Sequence, residues 1–443
     1  MLALWSAASP SFAQTPPAPP APGPIPLAVD GGVTPWLQVR GEFRSRVEGF
    51  TGGGFSPGND DSYWMSRFRF NATVTPAKRL VFFVQASDAR AFDKTTGGLA
   101  APLRDTLDLR QAYADVIGGS SVSVRIGRQE LNYGETRLIG AANWLNTART
   151  FDAGKVTFKS PLGTFDAFAA SVVTIDSEGF DKSGGGNALY GTYESLTGLL
   201  PKQTFEPYLL WRQSPNVTAE LGGVAPLHQA TVGLRAAGKL PAAFDYSTEV
   251  AVQRGSVGAD SISAWAGHAA LGRTLALPWK PRVFGEFNYA SGDENPKDGV
   301  RGTFDQLYPT AHDKYGLADQ IGWRNIRHAR GGMELRVTPK WQLSGSYHDY
   351  WLASATDGLY AASGALVARS VTGAAGTHVG REVDVQTSFV YSAQLQLAAG
   401  FAHLVPGEFL ELTTGGHAYS YPFVMATYVF LGETPAVGRR QTR

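Results

Sequence analysis

Residues 36–48, WLQVRGEFRSRVE, decide the fold. In an extended chain Leu37, Val39, Phe43 and Val47 fall on one side, and Gln38, Arg40, Glu42, Arg44 and Arg46 on the other. A period of two is the mark of a strand with one apolar and one polar face. The division recurs down the chain. Trp64, Phe68, Phe70 and Val74 oppose Arg67, Arg69, Asn71 and Thr73; Met333, Leu335 and Val337 oppose Arg330, Glu334 and Arg336. Val383, Val385 and Phe389 oppose Glu382, Asp384, Gln386 and Ser388.

A soluble sandwich alternates too, so the connections must decide. They run long (49–62), short (TPAKR), long (about 88–105), short (IGGS), long (the stretch before Phe151) and short (KSPLG). The rhythm continues to the end of the chain, with SVGAD as an exception at a position expected to be long. Strict short/long alternation is what an up-and-down transmembrane barrel shows, with turns at one end and loops at the other; Greek-key sandwiches have no reason for it. The segments predict an all-β antiparallel barrel of about 18 strands, with 16 as the alternative because 187–194 and 205–213 alternate weakly. Trp36, Trp64, Trp211, Trp265, Trp279, Trp341 and Trp351 fall near predicted strand ends, as interface girdles require. A barrel this wide leaves a channel rather than a packed core.

Composition agrees. The 443 residues include 52 glycines and no cysteine, which removes disulfides, thiolate metal sites and cysteine nucleophiles. Charge is balanced, 39 basic against 38 acidic residues, so nucleic acid has no electrostatic case. No apolar run is long enough for a transmembrane helix, a test that barrel strands escape. Residues 1–13 read as an export signal; because no positive charge precedes the apolar core, it is either truncated at its start, the favoured reading, or a weak signal. Residues 14–33 form a proline-rich periplasmic segment, 34–431 the barrel, and 432–443 a polar tail. The reading places the chain as a monomer among the lipids of the outer membrane of a Gram-negative-type bacterium. The aromatic-rich strand 421–431 would serve barrel-insertion machinery.

The long stretch before Phe151 holds GRQELNYGETRLIG, 127–140, followed by NWLNTARTFDA, 143–153. These segments resemble the alginate export family of outer-membrane barrels. So do ASGDENPKDG with TFDQLYPTAHDKYGLADQIGWRNI, and HVGREVDVQTSFVY with AGFAHLVPGEFL. The resemblance runs from about residue 34 to 431. It implies an 18-stranded barrel with an arginine-lined lumen passing an anionic polysaccharide, narrowed by loops that include a periplasmic one before the last two strands. Here that turn is only Tyr391-Ser392-Ala393-Gln394, which departs from the pattern.

Arginine outnumbers lysine 28 to 11. Arg40, Arg44, Arg67, Arg69, Arg125, Arg235, Arg330 and Arg336 fall on polar strand faces and would point into the lumen. Guanidinium is permanently charged and forks onto carboxylates. Such a ladder would draw in anionic saccharides or small organic anions. Internal salt bridges with Glu42, Glu249, Glu286, Glu334, Glu382 and Asp384 are the equally weighted alternative for each arginine. The loop between the fifth and sixth strands is expected to fold inward or to cap the rim. In the inward reading Arg128, Arg137 and Arg149 face permeant anions, and Glu130, Glu135 and Asp152 tie the loop to the wall.

No cofactor is expected, with structural calcium in 291–325 a minor option on the strength of Asp293, Glu294, Asp298, Asp305, His312, Asp313 and Asp319. Catalytic motifs are missing from the sequence, and His228, His268, His348 and His403 lack a Ser or Asp at a telling spacing. The function expected is a channel for anionic saccharides or small organic anions. Dedicated export of an acidic exopolysaccharide such as alginate is the alternative, and a barrel-embedded hydrolase a lesser one.

Overall fold

The computed structural model describes residues 36–99, 101–220 and 222–430, with short paired segments at 28–29 and 32–33. The expected signal (1–13), most of the proline-rich segment and the tail (432–443) lie outside the described residues. Strands follow in chain order: β1 (Leu37–Phe50), β2 (Asp61–Ala77), β3 (Leu80–Phe92), β4 (Asp105–Ile117), β5 (Val122–Gln129), β6 (Phe151–Ser160), β7 (Gly163–Thr174), β8 (Lys182–Leu196) and β9 (Gln203–Thr218). Then come β10 (Val224–Leu240), β11 (Phe244–Val257), β12 (Asp260–Thr274), β13 (Arg282–Ala290), β14 (Ile326–Thr338), β15 (Trp341–Trp351), β16 (His378–Val390), β17 (Leu395–Pro406) and β18 (Tyr419–Phe430). Each pairs antiparallel with its chain neighbour, and β18 closes on β1 with Val424 opposite Val47 and Phe430 opposite Gly41.

The count is 18, and the 16-strand alternative falls because β8 and β9 are full strands. Their apolar/polar split is blurred because Leu189 and Tyr193 of β8 and Tyr208 and Leu210 of β9 face inward and pack in the core with the lumen loops. Pairing slips between Ser183 and Ala188, across Gly184–Gly186, and between Ser214 and Val217, across Pro215.

Turns at one end are short, such as Lys78-Arg79 between β2 and β3. Loops at the other end are long, reaching 130–150 and 291–325; Gly258-Ala259 between β11 and β12 is the short exception. Exposure is inverted relative to a soluble protein. On β1, Phe43 and Val47 are 39% and 52% exposed while Arg44 and Arg46 are 4% and 3% exposed. An apolar outside around a polar inside is what lipid on the outer surface selects. Most strands run 12–17 residues, more than the ~9–11 needed to cross the hydrocarbon. This explains why Trp211 and Trp265 lie inside β9 and β12 rather than at strand ends, whereas Trp36 and Trp341 do mark the short-turn end. The strands continue past the apolar band.

The hydrophobic core sits inside the barrel, built mainly by loops. Leu131, Leu138 and Ile139 of the 130–150 loop pack with Phe304, Tyr315, Leu317, Ile321 and Trp323 of the 291–325 loop and with Leu359. Behind them a short helix, α1 (Glu408–Thr413), adds Phe409 and Leu410.

Candidate functional site

The two long loops cross the lumen, and the polar faces of the strands hold them there. Arg44 in the middle of β1 donates to the carbonyls of Asn143 (2.9 Å) and Leu145 (3.0 Å). From β2, Arg67 donates to the same two carbonyls and to Glu42. Arg69 donates to Asn143 Oδ1 (2.9 Å), and Arg46 to Trp144 O (2.7 Å) while its guanidinium lies 4.1 Å from the Trp144 ring. Asn146 donates to the carbonyls of Ser66, Arg90 and Leu103. Four buried guanidinium groups therefore grip four loop residues, 143–146.

At its other end the loop meets the opposite wall. Arg137 pairs with Glu286 on β13 (3.0 Å) and Glu135, and contacts His268 of β12 and the Tyr315 hydroxyl. Glu135 accepts from Arg235 on β10 (2.9 Å) and from Ser247 on β11. Burial alone would raise the Glu135 carboxyl; Arg137 and Arg235 hold it well below the usual carboxylate range. The loop thus lies within the barrel, and the rim-cap alternative falls.

The second loop enters from β13. Leu317 N and Ala318 N donate to Asp384 (3.1 Å) and Glu382 (2.9 Å) of β16. A Cβ on Gly316 would sit 2.5 Å from Glu382 Oε1, and φ there is +100°, so only glycine lets the backbone come this close. Asp305 pairs with Arg212 of β9 and accepts from Leu307 N, while its backbone N–H and carbonyl bond Gln253. Asp313 pairs with Arg330 (3.2 Å) and His312 with Asp319 (2.8 Å). Lys314 is buried, which brings its ammonium down to about 8. The two loops also join each other: Tyr308 N donates to Leu138 O (2.8 Å), Gly140 N to Tyr308 O (2.8 Å), and Thr310 N to Thr136 O (2.9 Å). Trp144 stacks on His312 at 3.8 Å between centroids.

The expected division of labour, arginines free and carboxylates tied, is replaced by one in which both are tied. Arg128 forks onto Asp152 (2.8 and 3.2 Å), Arg125 onto Asp115 (2.7 and 2.8 Å), and Arg330 reaches Glu286 as well as Asp313. Arg149 donates to the carbonyls of Gly140 and Pro309 (3.0 Å each), and burial lowers its guanidinium to about 10. Glu130 takes Arg110 (2.6 Å). Among the described residues Arg40 and Arg336, both near the short-turn ends of their strands, are half-buried, and their guanidinium groups have no hydrogen-bond or ion-pair partner. Sequence reasoning missed the anchoring roles of Arg46, Arg110 and Asn146 and the inward path of 291–325. The run of Phe304, Leu307, Tyr308, Tyr315, Ile321 and Trp323 was the available signal.

His348, read as lacking a Ser or Asp at a telling spacing, meets one of each. Ser346 Oγ lies 3.0 Å and Asp384 Oδ2 3.1 Å from the same atom, Nε2, while Nδ1 meets His328. A hydrolytic relay needs serine and carboxylate on opposite ring nitrogens. This trio cannot run one.

A closed barrel with an apolar outer face, a polar lumen and loops folded into it defines an outer-membrane channel protein. A family model described as alginate export matches residues 35–424, and the chain belongs to that family. Its long loops are accordingly extracellular and its short turns periplasmic, in the outer membrane. No curated protein sequence matches it. Solved structures share the fold. Acinetobacter baumannii OccAB2 is 12% identical with a TM-score of 0.59, over 89% of this chain and 98% of that one. Pseudomonas aeruginosa OpdQ is 11% identical with a TM-score of 0.59, over 89% and 98%. Pseudomonas aeruginosa OpdO is 13% identical with a TM-score of 0.59, over 89% and 97%.

Proposed function

We propose that this channel passes anionic saccharides or small organic anions, along the arginine-rich side of the lumen. One observation carries the reading. Arg44 and Arg46 of β1, Arg67 and Arg69 of β2 and Arg110 of β4 gather on one side, where Glu48, Glu42 and Glu130 pair with Arg46, Arg67 and Arg110, and Arg69 leaves Nε and Nη2 without a partner. Buried N–H groups left open are costly and favour an arriving carboxylate. Arg40 and Arg336 extend the positive surface to the periplasmic mouth. The protein acts as a monomer embedded in lipid, without catalysis of its own. Planar-bilayer recordings test this: reversal potentials in a salt gradient should report anion preference. Cation preference, or the absence of conductance, would sink it.

Family membership favours a second reading, dedicated export of an acidic polysaccharide. The four residues between β16 and β17 are too short for a periplasmic plug, which favours diffusion of smaller anions. Block by alginate oligomers at lengths where a monouronate does not block would restore the exporter reading.

A further inference from the structure

The expected calcium region disperses. In 291–325 Asp305 and Asp313 bind arginines, Asp319 binds His312, and Asp293 and Asp298 accept backbone N–H groups. Among the described residues, three carboxylates converge at metal-ligand spacing elsewhere: Asp105 and Asp108 of β4, and Asp181 just before β8. One oxygen from each lies within 4.8 Å of the others.

Positions three apart on a regular strand point to opposite faces. Here Leu107 has a φ of +40°, and the pairing with β3 slips between Ser87 and Ala89. A bulge of this kind re-aims side chains, and it lets Asp105 and Asp108 turn to the same point. Asp108 Oδ1 accepts from Asp181 N (3.1 Å), and Asp181 Oδ1 from Asp176 N (2.9 Å).

Two facts point to a ligand. Asp105 and Asp108 are each 2% exposed, and Asp105 Oδ1 and Asp108 Oδ2 accept no hydrogen bond. The Asp105 carboxylate, unlike the aspartates of 291–325, accepts a hydrogen bond from no described residue. The nearest cation does not neutralise the group. Arg128 is committed in a fork to Asp152 and donates to Asp181 O, and it reaches Asp108 Oδ2 only at 3.9 Å. Other nearby cations are spent: Arg90 on Asp88, Arg110 on Glu130, Lys182 on Asp176. Buried carboxylates without counter-charge are unstable as such; they take protons or a metal.

We infer that Asp105, Asp108 and Asp181 form a site for a calcium-like divalent cation at the extracellular end of the barrel. An all-oxygen set of carboxylates completed by water is calcium chemistry, and extracellular sites of this type bind at roughly 10⁻⁴–10⁻³ M. The ion joins the start of β4 to the 175–181 loop, beside the Arg128–Asp152 fork at the root of the 130–150 loop.

Isothermal titration of the folded full-length barrel in detergent with CaCl₂, after EDTA treatment, tests the site. One equivalent should bind in that range and raise the thermal unfolding midpoint. Asp105→Asn with Asp108→Asn should weaken binding more than tenfold, while Asp298→Asn in the 291–325 loop leaves it unchanged. If the double variant does not fold, Asp105→Asn alone serves, because that carboxylate holds no hydrogen bond to lose. No binding by the native chain, or equal binding by the folded Asp105 variant, overturns the proposal. In that case the carboxylates carry protons instead, and the neutral variants should be more stable than the native chain without calcium.

Discussion

Two stretches of wall hold the lumen loops with opposite charge. The β1–β2 stretch is cationic, and Arg44, Arg46 and Arg67 reach loop carbonyls at 143–145. The β16 stretch is anionic, and Glu382 and Asp384 receive loop N–H groups at 317–318. A crossing loop carries both donors and acceptors with no helix or sheet to absorb them. Each wall supplies whichever half the adjacent loop leaves open. Lumen charge is thus anchor first and selectivity surface second, and a neutral substitution at either wall should alter both.

The largest effect is expected from removing 133–147, which deletes most of one crossing segment. Single-channel conductance should rise several-fold; an unchanged value would mean that the ion path avoids this loop. Next comes the double variant Arg44→Ala, Arg67→Ala. It strips the backbone carbonyls of Asn143 and Leu145 of their guanidinium donors, at about 1.5–3 kcal/mol per charge-assisted hydrogen bond, read as a lower denaturant midpoint. Conductance should increase and anion preference decrease. Lysine at both positions should not restore the native values, since an ammonium cannot fork across two carbonyls.

The opposite wall supplies the contrasting case. Glu382→Ala with Asp384→Ala should also loosen a loop and raise conductance, yet increase anion preference because negative charge is lost. Selectivity changes of the same sign at both walls would break the comparison. A smaller change is expected from Arg40→Ala with Arg336→Ala. Neither holds a loop, so stability should stay within about 0.5 kcal/mol while anion preference drops modestly.

The least of these effects is a pH response of Lys314. Its ammonium is brought by burial to about 8, below the ordinary lysine value, so the folded chain sheds this proton before the unfolded chain does. The cost of burying that charge is present below about pH 8, and stability should increase as pH rises above it toward the unfolded value. Anion preference should fall over the same rise. Lys314→Met should flatten both curves.

The barrel was legible because lipid imposes a strict rule on every strand. The alternation at 36–48 and the rhythm of connections are local, and local patterns survive in a sequence. In 187–194 and 205–213 the split is less legible because apolar Leu189, Tyr193, Tyr208 and Leu210 turn inward to meet the lumen loops, although both strands are intact. The inward 130–150 loop was half legible: its aromatics argued against solvent, but nothing local separated lumen from rim. What was hidden are partnerships across the barrel. Arg44 meets Asn143 and Ala318 meets Glu382 over separations that no motif spans. The acidic run in 291–325 suggested a cation, whereas its carboxylates are shared out among distant arginines and nearby N–H groups. Asp105 and Asp108 showed nothing in sequence, because a left-handed Leu107 makes their faces coincide.

The backbone hydrogen bonds between Leu138, Gly140 and Tyr308, with Trp144 laid on His312, have a kinetic meaning. A Cβ on Gly140 would stand 2.3 Å from Thr310 Oγ1, so the two segments are fitted to each other as closely as adjacent strands. Neither can swing aside without breaking this seam or carrying its neighbour along. The obstruction therefore moves as a single piece, and current through one molecule should step between discrete levels instead of drifting through a continuum.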